Sequence, residues 1–200
     1  MEELLEITTI SKGEKTMGPY IETYSGHRIH FGKLTPDDIS IIDIAHSLSQ
    51  ICRFTGHTKE FYSVAQHSVL VCDAQNTIAE KRAGLLHDAT EIYLNDLPSP
   101  LKISVDLGDY KKLENEMHDV INKKYNVNGG MTPNIKKADL QALFTEKRDV
   151  LNKPSDWGWG DNIKRFKEII IPLQPKEAKA LFLKRFIELF PKEAKLEGLI

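Results

Sequence analysis

The chain has 200 residues with a formal net charge of −2, and it is 40% hydrophobic and 28% charged. This composition is typical of a globular protein with one well-buried core. The slight negative charge argues against a general binder of nucleic acid polymers, which would carry a basic excess. No apolar run reaches the roughly 20 residues that span a bilayer, so we expect no membrane partner.

The cysteine content and the first residues predict the compartment. Two cysteines, Cys52 and Cys72, are too few for a disulfide framework and indicate a reducing environment. The chain starts Met-Glu-Glu-Leu-Leu-Glu, which lacks the basic region that opens a signal peptide. We therefore expect a cytoplasmic protein.

The N-terminal part predicts an extension and a hairpin. Residues 1–18 are polar. Residues 19–32 alternate on both sides of a Ser-Gly pair, which predicts a short β-hairpin. Thr35 and Pro36 then have the form of an N-cap and a first helical residue.

Apolar residues recur at helical spacing through most of the remaining chain. This period predicts helices over 41–52, 61–74, 78–94, 106–124, 135–151 and 175–191. Pro98 and Pro100 end the third of these, because proline cannot continue a helix. The sequence predicts an all-α fold with a small N-terminal β-hairpin, in which residues 19–200 form a single domain.

The most informative motif lies in the predicted helix 78–94. The sequence Leu85-Leu86-His87-Asp88-Ala89-Thr90-Glu91 places a histidine beside an aspartate in an apolar stretch. Burying both side chains is costly unless something binds them, and a divalent metal ion would do so. His67, in the middle of one predicted helix, and Asp139, predicted to begin another, are further candidate ligands. This nitrogen and oxygen set suits Mn, Fe, Co, Ni or Zn better than Ca, and it has no thiolate to favour structural zinc.

Each of the two added candidates also has an ordinary structural interpretation. His67 alone would be a hydrogen-bonded core histidine. Asp139 alone would be a carboxylate that stabilises the N-terminus of a helix through the helix dipole.

The ordered set His67, His87-Asp88 and Asp139 resembles the HD-domain metal-dependent phosphohydrolases. Residues 61–68, 87–91 and 95–100 resemble bacterial 5′-deoxynucleotidases and phage-encoded HD phosphohydrolases, which include dATP triphosphohydrolases. The resemblance covers residues 19–160. It implies an HD-domain helical bundle that hydrolyses phosphate from deoxynucleotides, either as a 5′-deoxynucleotidase on dNMPs or as a dNTP triphosphohydrolase.

The resemblance also implies a cofactor and an assembly state. The four positions His67, His87, Asp88 and Asp139 would hold one divalent metal ion, which could be Co, Mn, Zn, Ni, Fe or Mg. The substrate would be a deoxynucleotide, and the protein would be a homo-oligomer, a dimer or higher. For a phage-encoded member, the location would be the host cytoplasm.

Glu91 and Asp96 are the candidate catalytic residues. On a continuous helix, Glu91 shares a face with His87 and Asp88, where it could orient or deprotonate a metal-activated water. Asp96 follows the end of the predicted helix. The resemblance gives both carboxylates roles near the attacking water and the leaving group, and leaves open which is the acid and which the base.

Four residues are candidate substrate contacts. Arg53 could hold phosphate oxygens with two hydrogen bonds, and the resembling enzymes have an arginine at a matching place. Phe54 falls where related deoxynucleotidases carry an aromatic residue near the sugar. His57 either touches the substrate or caps a turn, and Lys102 is a second candidate phosphate contact. Glu146, seven residues after Asp139, shares its helical face and is expected to support the site from behind the ligands.

Two other interpretations remain open at this point. A non-catalytic nucleotide-sensing module could keep the same HD-like fold, although such proteins usually lose some ligands. A structural helical interaction domain would have to satisfy the buried histidine and aspartate side chains without a metal ion.

Overall fold

The computed structural model describes residues 19–128 and 130–200, so the predicted polar extension over residues 1–18 lies outside the described part. The described part is mostly helical and carries a small antiparallel hairpin near its N-terminal end, as the sequence predicted. Strand β1 (Ile21–Glu22) pairs with β2 (Arg28–Ile29) in the register that sets Ile21 opposite Ile29.

A buried carboxylate attaches this hairpin to the helices. Asp43 accepts hydrogen bonds from the Ser25 backbone N–H at 2.7 Å and from the Ser25 hydroxyl at 2.6 Å. Gly26 makes the turn with a φ of +87°, a conformation that glycine adopts without strain. The position of the hairpin is therefore fixed by polar contacts at its turn.

The helices follow in chain order. They are α1 (Ile41–Gln50), α2 (Val64–Asp73), α3 (Ile78–Leu86), α4 (Glu91–Leu94), α5 (Ser99–Ser104), α6 (Gly108–Lys124), α7 (Pro133–Asp149), α8 (Pro175–Leu189) and α9 (Pro191–Leu196). The Thr35-Pro36 signal begins only a short 3-10 turn, Pro36–Asp38.

Side-chain caps explain where several of these helices begin. The hydroxyls of Ser40, Ser63, Thr77 and Thr132 each accept a backbone N–H from the first turn of α1, α2, α3 and α7. Such a cap satisfies one of the N–H groups that a helix start leaves without a partner. Helix α2 therefore begins at residue 64, directly after its cap, and not at residue 61 as predicted.

The prediction of one helix over 78–94 is wrong. Helix α3 ends at Leu86, residues 87–90 form a tight turn, and α4 follows. Two backbone carbonyls that would accept helical hydrogen bonds in a continuous helix are instead paired with side chains. His87 Nδ1 lies 2.7 Å from the Gly84 oxygen, and His118 Nε2 lies 3.0 Å from the His87 oxygen. The helix breaks at the His-Asp motif, where these bonds replace the helical ones.

Three smaller expectations also need correction. Helix α4 ends at Leu94, ahead of the Pro98 to Pro100 segment, and that segment begins the short α5, with Pro100 in the first turn. Asp139 lies in the second turn of α7 and does not begin it, because Pro133 starts that helix. The C-terminal helix ends at Leu189, and the separate α9 follows it.

Helix α2 is central to the packing. It contacts α1, α3, α7 and α8, and its buried residues include Val64, Val71 and His67. Because α3 and α7 both pack on α2, residues at the end of α3 and in α7 are brought beside His67. None of the described helices combines the length and the apolar character needed to cross a bilayer.

Candidate metal centre

Three separate parts of the chain meet beside the middle of α2. His67 comes from α2, His87 and Asp88 come from the turn after α3, and Asp139 comes from α7. The candidate ligand atoms of His67, His87 and Asp88 all lie within 4.8 Å of one another. The fold thus forms a His-His-Asp group that could hold a metal ion.

Short distances join the histidine nitrogens to the carboxylates. His67 Nε2 lies 3.2 Å from Asp139 Oδ1 and 3.5 Å from Asp88 Oδ2. His87 Nε2 lies 3.2 Å from the same Asp88 oxygen. Asp139 therefore contacts His67, whereas Asp88 contacts both histidines.

The other ring nitrogen of each histidine fixes the tautomer. His67 Nδ1 lies 2.6 Å from Glu146 Oε1, and His87 Nδ1 lies 2.7 Å from the Gly84 carbonyl oxygen. A carboxylate or carbonyl oxygen only accepts here, so each Nδ1 donates a proton. The two Nε2 atoms are buried and lack a hydrogen-bond partner among the described residues. Two lone pairs therefore converge beside carboxylates, an arrangement that needs a cation.

Glu146 links His67 of the His-His-Asp group to two further polar side chains. Its carboxylate is fully buried and accepts from His67, from the Tyr62 hydroxyl at 3.0 Å and from Arg53 Nη2 at 3.2 Å. A carboxylate behind a ligating histidine fixes the orientation of the ring and raises its basicity. The geometry places Glu146 where the sequence expected it, directly behind a candidate ligand.

The pKa values describe a site that attracts positive charge. Burial disfavours the charged imidazole of His67, but Glu146 and Asp139 outweigh burial and raise its pKa to about 10. At His87 burial prevails and lowers the pKa. Burial also works against ionisation of Glu146, yet His67 and Arg53 lower its pKa to about 2. The field at His67 Nε2 therefore favours a positive charge, carried by a proton or by a metal ion.

The two predicted catalytic carboxylates lie next to the group. Burial, Asp88 and Asp96 raise the pKa of Glu91, and one Glu91 oxygen is buried without a partner among the described residues. Burial also raises the pKa of Asp96, although Arg53 Nη1 lies 3.7 Å from its carboxylate. The two acids influence each other's pKa, although the helix that was predicted to align Glu91 with His87 and Asp88 is broken.

A cavity of about 700 Å³ opens onto this site. Its walls include His87, Asp88 and Glu91, together with the predicted contact Lys102. Lys102 lies 3.0 Å from Glu114 Oε1, so its charge is already paired. This cavity brings Lys102, the Glu91 carboxylate and part of the metal group together.

The other predicted substrate contacts lie at different places. Arg53 reaches Asp96 and Glu146, as above, and its guanidinium lies 5.8 Å from the centre of the half-buried Phe54 ring. His57 is exposed, and among the described residues its only hydrogen bond runs from its backbone N–H to the Phe54 carbonyl. The geometry therefore places Arg53 beside Glu146 and Asp96, Lys102 in the cavity wall and Phe54 beside Arg53, and among the described residues it gives His57 no contact with the metal group.

Several contacts of the site were not foreseen from the sequence. Tyr62 supports Glu146, Glu114 pairs with Lys102, and His118 holds the His87 carbonyl. His118 and Asn122 both line the cavity. The sequence held one signal for these contacts, the polar residues His118 and Asn122 four positions apart on a predicted helix. By itself such a pair is typical of an ordinary solvent-exposed helix face.

The fold and the site define a mostly helical protein with a His-His-Asp group, two buried histidines and a half-buried aspartate, that could hold a metal ion. No family model matches the chain. The chain is 43% identical over 174 residues to the uncharacterized protein YfdR of Escherichia coli (strain K12), and the match covers 85% of this chain and 95% of YfdR. This chain belongs to the YfdR family.

A second relative is more distant. The uncharacterized protein RCAP_rcc00048 of Rhodobacter capsulatus is 36% identical over 122 residues, which is 57% of this chain and 62% of that protein. Neither relative's name states an activity, so the function has to be argued from the site.

Proposed function

We propose that this protein is a metal-dependent phosphohydrolase with an HD-domain helical bundle, and that it removes phosphate from deoxynucleotides. One observation carries the proposal: two buried histidine Nε2 lone pairs converge on the Asp88 carboxylate, and no described group donates a hydrogen bond to either. In a structural interaction domain a proton on His67 Nε2 could pair with Asp139, but the lone pair of His87 Nε2 would stay unsatisfied at a cost in stability.

His67, His87 and Asp88 would hold the ion, with Asp139 beside His67 as a fourth ligand. Two imidazoles and two carboxylates suit a first-row divalent metal such as Mn, Fe, Co, Ni or Zn. Such an ion, when bound, lowers the pKa of a coordinated water and polarises a phosphoryl oxygen. Glu146 holds His67 in the tautomer that presents its Nε2 lone pair.

Glu91 and Asp96 are the proton-transfer groups of this proposal. Two interacting carboxyl groups titrate as a pair, and the proton they retain is available to the leaving oxygen. Burial raises the pKa of both groups, which favours a protonated carboxyl in this pair. The other carboxylate of the pair can accept a proton from the attacking water.

The charges in and near the site favour a monophosphate over a triphosphate. Arg53 faces Glu146 and Asp96, and Lys102 faces Glu114, so both cations are already paired with carboxylates. The longer phosphate chain adds negative charge beside these acids, and like charges repel strongly in a partly buried site. A dNMP is therefore the preferred substrate in this proposal.

A nucleotide panel tests the proposal. The full-length protein, loaded with Mn or Co, should release phosphate from dNMPs. His87→Ala and Asp88→Asn should abolish both metal binding, measured by elemental analysis, and turnover. Asp161→Asn, the same change at an exposed residue, should retain both.

Two results would contradict the proposal. One is equal turnover by His87→Ala and the unaltered protein. The other is tight nucleotide binding with no release of phosphate under any metal, which would identify a nucleotide-sensing module instead.

A further inference from the structure

One face of α6 presents polar side chains to the cavity that includes part of the metal group. Asn115, His118 and Asn122 follow one another at spacings of three and four residues, so they share a face of the helix. The same cavity is lined by His87, Asp88 and Glu91. These three α6 residues, called here the α6 polar face, play no part in the chemistry described above.

Hydrogen bonds fix the side chains of His118 and Asn122 on this face. His118 Nε2 lies 3.0 Å from the His87 carbonyl oxygen, so Nε2 carries the proton and donates it. His118 Nδ1 then accepts from Asn122 Nδ2, 3.0 Å away. A histidine that donates at one nitrogen and accepts at the other is neutral. The chain of bonds thus runs from the backbone of a candidate metal ligand to the amide of Asn122.

The amide of Asn122 can form further hydrogen bonds besides the one to His118. One N–H is used by His118, which leaves the second N–H and the carbonyl oxygen without a partner among the described residues. Both His118 and Asn122 are half-buried, which distinguishes them from a freely solvated helix face. An amide oriented in this way offers a donor and an acceptor side by side.

We propose that the α6 polar face recognises the organic part of the substrate, and that Asn122 is the main specificity-determining residue. The inference rests on the proposed function, under which the organic part is a deoxynucleoside. A side-chain amide pairs with a base edge that carries an adjacent donor and acceptor, as it does with adenine. A site built to hydrogen-bond its ligand rejects an analogue that lacks the matching groups. Asn115, exposed on the same face, adds a second amide.

The experiment compares substrates with and without a base. The kcat/KM of the full-length protein is measured for the four common dNMPs and for 2-deoxyribose 5-phosphate, which has the same phosphoester and no base. Asn122→Leu removes the amide at similar size, and Asn115→Leu does so at an exposed position where folding is not at risk. Asn76→Leu, in the exposed turn between α2 and α3, is the matched control.

The expected result is selective. Asn122→Leu should lower kcat/KM for the preferred dNMP about tenfold, the effect of one hydrogen bond, and should change the value for 2-deoxyribose 5-phosphate much less. Asn115→Leu should act in the same direction, and Asn76→Leu should match the unaltered protein. Equal losses on both substrates would overturn the inference, since Asn122 would then act only through His118 on His87. No loss on either substrate would also overturn it.

Calorimetric binding separates this inference from the proposed function. If the protein turns over no phosphomonoester, the proposed function fails, but binding still tests the α6 polar face. The inference then requires a dNMP to bind about tenfold more tightly than 2-deoxyribose 5-phosphate, with the difference erased by Asn122→Leu. Equal affinities in the unaltered protein would overturn it.

Discussion

Glu146→Gln is the most informative single change, because one buried carboxylate serves the stability of the fold and the orientation of a metal ligand. The substitution keeps the size of the side chain and removes its charge. Arg53, whose side chain is only 12% exposed, then retains Asp96 at 3.7 Å as its charged neighbour. The new amide N–H₂ also faces groups that donate hydrogen bonds, His67 Nδ1 and the Tyr62 hydroxyl.

The expected loss follows from these contacts. Removing one partner of a buried ion pair costs about 3–5 kcal/mol, and the remaining contact to Asp96 favours the lower end. For a chain of this length, a loss of about 3 kcal/mol lowers the melting temperature by about 6–12 °C. The affinity for a metal ion should fall about 10- to 100-fold, because His67 loses the carboxylate that fixes its tautomer.

Two measurements check this prediction. Urea unfolding followed by circular dichroism gives the change in the free energy of unfolding, and calorimetry with Mn or Co gives the metal affinity. Glu168→Gln, the same change at an exposed carboxylate, should leave both unchanged. A loss below about 1 kcal/mol, or an unchanged metal affinity, would refute the assignment of Glu146 as the support of His67.

Three further changes test the fold. Gly160→Ala should destabilise the protein by about 2–4 kcal/mol in urea unfolding, because Gly160 has a φ of +85° and a Cβ there would overlap the Phe144 ring. Asp43→Asn should cost about 1.5–3 kcal/mol and speed amide exchange at Ser25, since the carboxylate holds the hairpin; unchanged exchange would contradict this. The Arg148 hydrogen bond holds the pKa of Asp149 below its usual value, so Asp149 stabilises the fold above about pH 4 and this contribution is lost as pH falls through the folded pKa. Asp149→Asn should therefore lower the unfolding free energy at pH 7 by about 1–2 kcal/mol, with a difference that shrinks in acid-unfolding series below about pH 4.

The sequence by itself determined much of the secondary structure and the chemical character of the site. Helical spacing of apolar residues predicted the main helices, because this signal acts within a few residues along the chain. The His87-Asp88 pair in an apolar stretch identified the type of group that burial makes costly. Residue types alone also indicated a nitrogen and oxygen ligand set.

Only the tertiary structure decided which atoms meet. His67 contacts Glu146 across 79 positions of sequence, and Arg53 contacts it across 93. Periodicity shows which residues share a helix face, but it does not show which face packs against which neighbour. The contact between His118 and the His87 carbonyl, 31 positions apart, also accompanies the helix break that local propensity did not predict. The tautomers and shifted pKa values depend on burial and on these distant partners, so they arise only once the helices have packed.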